Sequence, residues 1–309
     1  MSKPSESGNS FNSQKKTFEQ TLPLKPIQSE LVIEVVTNTL RNEVEKTGIT
    51  DVILGLSGGI DSALTLHIAA QAFDKKKIHA FYLPYTTSSP QSYEHAKLAA
   101  KNTGVTLQTI DISNMADAYF EQEINSSSNS TDADIKMQKL RKGNVMARLR
   151  MIALYDQSAK INALVLGTSN KTEILLGYST LWGDMASAVN PLGDLYKYQV
   201  RELSRALQVP NAIIDKPPSA DLWEDQTDED ELGITYDMAD RILFHWIDLA
   251  WPKSRLLESL AHIDTAAEKV EMILKKVQYS QYKRKMPLII KLSETTIDRE
   301  FRYPRDWGL

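Results

Sequence analysis

Short apolar runs alternate with segments of helical period, and this alternation constrains the fold more than any other feature of the chain. "VILGL" (52–56), "IHAFYLP" (78–84), "VTLQTIDI" (105–112) and "NALVLGT" (162–168) have the length and content of buried strands. Between them, "SALTLHIAAQAF" (62–73) and "SYEHAKLAAKNTG" (92–104), the latter stopped by Gly104, have helical spacing. Alternation at this spacing predicts βαβ units and an α/β fold, a doubly wound, mostly parallel sheet with flanking helices. At 309 residues, 42% of them hydrophobic and 25% charged, the chain can bury the core of one large α/β domain or two small ones.

The rest of the chain is read in the same way. "NSSSNSTDAD" (125–134) is polar and predicts a loop. A long helical pattern runs from about Ile135 to Ala159 and sets Arg141, Asn144 and Arg148 on one face. Residues 216–233, "KPPSADLWEDQTDEDELG", are acidic, open with Pro and close with Gly, and predict a long functional loop. Helical patterning resumes over 234–279, and 281–290 is basic and then apolar. Residues 1–25 are rich in Ser, Asn and Lys and predict a disordered extension.

Several function classes are disfavoured by composition. A net charge of −4 does not suit a nucleic-acid binder. The absence of cysteine removes disulfides, thiolate metal sites and any Cys nucleophile, and fits a reducing, cytoplasmic setting. No apolar run approaches the ~20 residues of a membrane span, and the start of the chain has no apolar signal core.

The stretch "GLSGGIDS" (55–62) lies between the first strand and the first helix. Ligands of open parallel sheets sit beyond the carboxyl ends of the strands. Gly58 and Gly59 allow a tight turn, the helix N-terminus favours phosphate, and Ser57 and Ser62 add hydroxyls. Asp61 is repulsive to phosphate unless a Mg²⁺ lies between them. The loop lacks the Lys of a Walker A motif. An ordinary capped turn is the competing reading.

"SGGIDS" resembles the pyrophosphate loop of the ATP pyrophosphatase superfamily, whose members split ATP between its α and β phosphates and adenylate an acceptor oxygen. Four further stretches are similar, in order and spacing, to NAD synthetase of the ammonia-dependent type. They are "GNVMARLRM" (143–151), "LGTSNKTEILLGYSTLWGD" (166–184), "NPLGDLYKYQVREL" (190–203) and "KPPSADLWEDQTDEDELGITYD" (216–237), followed by "YKRKMP" (282–287). The resemblance implies an adenine nucleotide alpha hydrolase-like fold and a synthetase domain over 26–290, with 291–309 as a tail. It implies ATP-dependent amidation of deamido-NAD with ammonia, Mg²⁺ as the cofactor, and a homodimer with the deamido-NAD site at the subunit interface. Another ligase of the superfamily, or an inactive nucleotide-binding module, is the alternative.

The resemblance also carries over residue roles. Gly55, Leu56, Ser57, Gly58, Gly59, Ile60, Asp61, Ser62, Thr168, Lys197 and Ser219 are expected at ATP, with Ser219 standing where relatives usually carry Thr. Asp61 and Glu173 are expected at the metal. Arg148, Asp184, Glu231, Tyr282 and Lys283 are expected at deamido-NAD, with Tyr282 in a position that is often His. Asp61, Glu173, Asp184 and Lys197 form the expected catalytic set. Two positions depart from the pattern: Leu181 replaces a Lys and Ala188 an Asp that contact deamido-NAD in many bacterial relatives. Read alone, Thr168 is also a candidate helix cap, Glu173 and Arg148 ordinary helix-surface residues, and Lys197 an ordinary surface lysine.

Overall fold

The computed structural model describes residues 18–122, 131–219, 227–285 and, beyond these, 287, 289–293 and 295–296. Four parallel strands form one sheet in the order β3-β2-β1-β4: β1 Asp51–Gly55, β2 Ile78–Tyr82, β3 Leu107–Thr109 and β4 Ala163–Val165. The helices in chain order are α1 Ser29–Glu45, α2 Ile60–Ala72, α3 Pro90–Thr103, α4 Ser113–Phe120, α5 Asp132–Ile161, α6 Lys171–Leu176, α7 Lys197–Ala206, α8 Asn211–Ile214, α9 Asp228–Leu232, α10 Tyr236–Leu243, α11 Lys253–Ser259 and α12 Ala266–Tyr279. A π-helical turn, Phe244–Asp248, continues α10.

Both faces of the sheet are covered at β1, β2 and β4, which are mostly apolar instead of alternating, while the edge strand β3, Leu-Gln-Thr, is partly exposed. In β1, Val52 and Leu54 enter a core shared with α1, α2, α3 and α7, while Ile53 enters a second core with Met146 and Ala153 of α5. A third cluster joins α10, α11 and α12 around Ile242, Leu256, Val270 and Ile273. The doubly wound α/β expectation holds. The strands are shorter at their ends than the apolar runs: Leu83 and Ile112, for example, are buried but lie past the ladder.

Two expectations are revised. Phe18 and Leu22, placed by composition in a disordered extension, are buried in the third cluster, because two apolar side chains one helical turn apart suffice to dock the segment. Residues 1–17 lie outside the described residues. In 216–233, residues 228–232 form α9, capped by the Thr227 side chain on Asp230 N and by Gly233 in the left-handed conformation. Residues 220–226 of that stretch lie outside the described residues, as do 125–130 of the polar loop at 125–134. No helix among the described residues is long and apolar enough to cross a membrane.

Strand order 3-2-1-4 places a topological switch at β1, where the chain winds to opposite sides. The segments leaving β1 and β4 therefore run side by side.

Candidate active site

The segment after β1 is held by its own hydroxyls. Ser62 Oγ accepts from Ser57 N at 3.3 Å and donates to Gly59 O at 3.0 Å, and Ser57 Oγ lies 3.2 Å from Ser62 Oγ. Gly59 opens α2. Gly58 sits at φ +80°, and a Cβ there would fall 2.2 Å from the Ser92 carbonyl oxygen in α3. The glycine is thus required by both the turn and the close approach of α3.

The segment after β4 ends in a capping box. Asn170 Oδ1 accepts from Glu173 N at 3.0 Å, and Glu173 Oε2 accepts from Asn170 N at 3.3 Å. Asn170, not Thr168, is therefore the cap of α6. Asn170 Nδ2 also donates to Asp61 Oδ1 at 2.9 Å, which ties the two segments together.

At their junction Lys197, the first residue of α7, is 2% exposed. Its Nζ donates to Asp61 Oδ2 at 2.6 Å and to Glu173 Oε1 at 3.0 Å, and lies 4.8 Å from the centre of the Tyr236 ring. Burial lowers the Lys197 ammonium, but Asp61 and Glu173 outweigh that and hold it above its ordinary range. Burial raises the Glu173 carboxyl to about 7; Lys197 opposes this and Asp61 adds to it. Asp228 is buried beside them and accepts from Tyr178 Oη at 3.0 Å and Tyr236 Oη at 3.1 Å. Burial likewise raises its carboxyl. Tyr178 Oη also lies 2.6 Å from Glu231 Oε2, so its one proton is shared between the two carboxylates. Acidic groups thus outnumber cations here, and Glu173 carries the consequence.

These groups line a cavity of about 570 Å³. Its walls include Gly55, Leu56, Ser57, Gly59, Ile60, Asp61 and Ser62 from the loop, and Thr168, Glu173, Asp184, Lys197, Ser219, Glu231 and Lys283 from elsewhere. Gly58, Arg148 and Tyr282 are not in that lining. Gly58 is turned into the α3 contact, and Arg148 is exposed, with Nε donating to Leu181 O at 3.2 Å. Tyr282 is 65% exposed and borders a separate groove with Leu257 and Met272. Lys283 Nζ donates to Gly177 O at 2.8 Å and Ser179 O at 2.7 Å. Burial and, to a lesser degree, Arg148 pull its ammonium below the ordinary range, while Asp184 opposes them. Asp184 accepts from Thr180 N at 2.6 Å, and Asp184 and Lys283 both line the cavity, with Arg148 outside the lining but near enough to act on the Lys283 charge.

Sequence reasoning missed Asn170, Tyr178, Lys216, Asp228 and Tyr236. The Asn-x-x-Glu spacing of a capping box, present in "NKTE", was the available signal for Asn170. Lys216 borders the cavity and donates to Ser92 Oγ at 3.0 Å.

The chain is similar to known proteins over most of its length. The NAD synthase family model matches residues 32–287. An NH(3)-dependent NAD(+) synthetase of Trichlorobacter lovleyi is 49% identical over 91% of this chain and 98% of its own. That of Chlorobium phaeovibrioides is 46% identical over 90% and 95%. Among solved structures, NMN synthetase from Francisella tularensis superposes with a TM-score of 0.71 at 30% identity, over 86% of this chain and all of its own. The NH3-dependent NAD synthetase of Campylobacter jejuni does so with a TM-score of 0.66 at 30% identity and the same coverage. With its parallel sheet, its loop at the switch point and these matches, the chain belongs to the NAD synthase family.

Proposed function

We propose that the chain catalyses ATP-dependent amidation of deamido-NAD with ammonia, giving NAD, AMP and pyrophosphate. The observation that carries this reading is Lys197 seated between Asp61 and Glu173 beside the "GLSGGIDS" loop, in a chain of the NAD synthase family. A nicotinate carboxylate oxygen attacks the α-phosphorus of ATP, and the bond to the β-phosphate oxygen breaks. Ammonia then forms the C–N bond at the activated acyl carbon, loses a proton, and AMP leaves. The protein's share is positioning and charge neutralisation.

In this reading the loop 55–62 and the N-terminus of α2 hold the phosphates. Lys197 neutralises charge as pyrophosphate departs, and Thr168 and Ser219 offer hydroxyls to ATP. Asp61 and Glu173 would hold Mg²⁺, and the fit is supported by their geometry: both carboxylates converge on one point beside the loop, where a single buried cation, Lys197, already meets them. A pair of carboxylates suits an ion that keeps phosphate and water in its shell. When bound, Mg²⁺ supplies neutralisation of the pyrophosphate leaving group. Arg148, Asp184 and Lys283, with Glu231 and Tyr282, are assigned to deamido-NAD.

We also infer a homodimer. Leu140, Ile152 and Tyr155 of α5 are exposed apolar side chains, and Leu140 and Tyr155 also border the cavity. A second copy covering α5 would close the side on which Arg148 is open to solvent. The absence of cysteine supports a cytoplasmic setting.

The test is pyrophosphate and NAD formation by the purified chain with ATP, Mg²⁺ and ammonium chloride, with either deamido-NAD or nicotinate mononucleotide as acceptor. Product with deamido-NAD is expected. Preference for the mononucleotide overturns the acceptor, and release with neither overturns the reaction. Sedimentation of the same sample checks the dimer.

A further inference from the structure

Asp240, in α10, is fully buried, and no ammonium or guanidinium among the described residues is in hydrogen-bond contact with it. Core packing alone does not call for a carboxylate in such a place. Its two oxygens have separate tasks. Oδ1 accepts from Thr172 Oγ1 at 2.5 Å, in the first turn of α6. Oδ2 accepts from Tyr198 N at 2.8 Å, in the first turn of α7. Thr172 Oγ1, its proton committed to Asp240, accepts in turn from Lys197 N at 3.0 Å. One carboxylate thus satisfies amides at the start of α7 directly and through a hydroxyl, where a negative charge is also favoured by the helix dipole.

The residues it grips are next in sequence to the ones that matter for the proposed reaction. Thr172 precedes Glu173, and Lys197 precedes Tyr198. The Asp240–Thr172–Lys197 relay joins the backbones from which the Glu173 and Lys197 side chains depart, and those side chains meet at 3.0 Å. We propose that Asp240, acting through Thr172, is a positioning residue that fixes the Lys197–Glu173 pair for phosphate activation. This rests on the amidation proposed above.

The test uses Thr172→Val, which keeps the side chain's shape while leaving Asp240 and the Lys197 amide without their shared partner. Thr172→Ser is the rescue, since it keeps the hydroxyl. Val270→Ala, in the core of α12 and with no part in the hydrogen bonds of the relay, is the control for destabilisation. Expected are a kcat at least tenfold lower for Thr172→Val, a KM for ATP within threefold of wild type, and at least half of wild-type kcat for Thr172→Ser. A kcat within twofold of wild type for Thr172→Val overturns the inference. So does an equal loss in Val270→Ala at matched loss of Tm. If the wild-type chain makes no NAD, the reaction is wrong, and the crystal structure of Thr172→Val still decides the positioning role. A Lys197–Glu173 separation beyond hydrogen-bond reach supports it, and an unchanged separation overturns it.

Discussion

Lys197 Nζ meets Asp61 Oδ2 at 2.6 Å across 136 residues of sequence, and the same ammonium reaches Glu173. Three groups that repel or attract one another strongly are therefore balanced within one buried contact, and the balance can be tested from each side.

Asp61→Asn keeps the shape of the side chain and its contact to Asn170 while removing one charge. The fold is expected to survive, with an unchanged far-UV spectrum. Turnover is expected to fall by about 100-fold or more if the carboxylate holds Mg²⁺ against the phosphates. Near-wild-type kcat at saturating Mg²⁺ would end the metal assignment.

Lys197→Met leaves Asp61 and Glu173 facing each other without their shared cation. Breaking a buried ion pair from one side costs about 3–5 kcal/mol. Thermal unfolding should show that loss, and millimolar Mg²⁺ should return part of it, because the ion would replace the missing positive charge. No recovery with Mg²⁺ would count against Asp61 and Glu173 as ligands.

The raised Glu173 carboxyl makes ligand-free stability depend on pH. A carboxyl whose folded pKa exceeds its unfolded value gives stability that is fully present below the unfolded pKa, near 4.5, and lost as pH rises through the folded value of about 7. Asp240, raised to about 7 chiefly by burial, acts with the same sign. The Tm of the ligand-free protein should fall between pH 5 and pH 8. Glu173→Gln should flatten the part of that fall due to Glu173, and so be more stable than wild type at pH 8 while inactive. Superimposable Tm profiles for the two proteins would remove Glu173 from this account.

Gly58→Ala and Gly48→Ala separate backbone strain from steric approach. Both glycines have φ near +80°, but a Cβ at Gly48 meets nothing within 4 Å, whereas at Gly58 it meets the Ser92 carbonyl. Gly48→Ala should cost about 1 kcal/mol, the price of the left-handed conformation alone. Gly58→Ala should cost at least twice that and weaken ATP binding, measured by chemical denaturation and calorimetry.

The 309-residue polypeptide should use ammonium and not glutamine as nitrogen donor. It has no cysteine to supply a thiolate for glutamine hydrolysis, and the family match occupies residues 32–287. NAD formation from glutamine alone, in ammonia-free buffer, at a rate near that with ammonium would refute this.

The strand–helix alternation and the loop 55–62 were legible because strand and helix periods and turn chemistry are local properties. Asp61 stood out as a carboxylate where phosphate was expected. Asp228, Tyr236 and Asp240 did not, since each sits in a run that reads as an ordinary acidic or amphipathic segment. Their importance comes from partners such as Glu173 and Thr172, 63 and 68 residues away, and no spacing rule carries that information. Lys197 reads as a surface residue for the same reason: the carboxylates that let it be buried are distant in sequence.

The pairing of β4 beside β1 has a consequence for the order in which the molecule can form. β1, β2 and β3 are joined by nearby crossovers, but β4 arrives only after the 30-residue α5, and the contact that ties its trailing segment to the loop spans 109 residues. A chain with only the first three strands assembled has the loop without Glu173 or Lys197 beside it. Loop closure over such a separation is entropically late. The site is thus completed only by segments that lie far along the chain from the loop they complete.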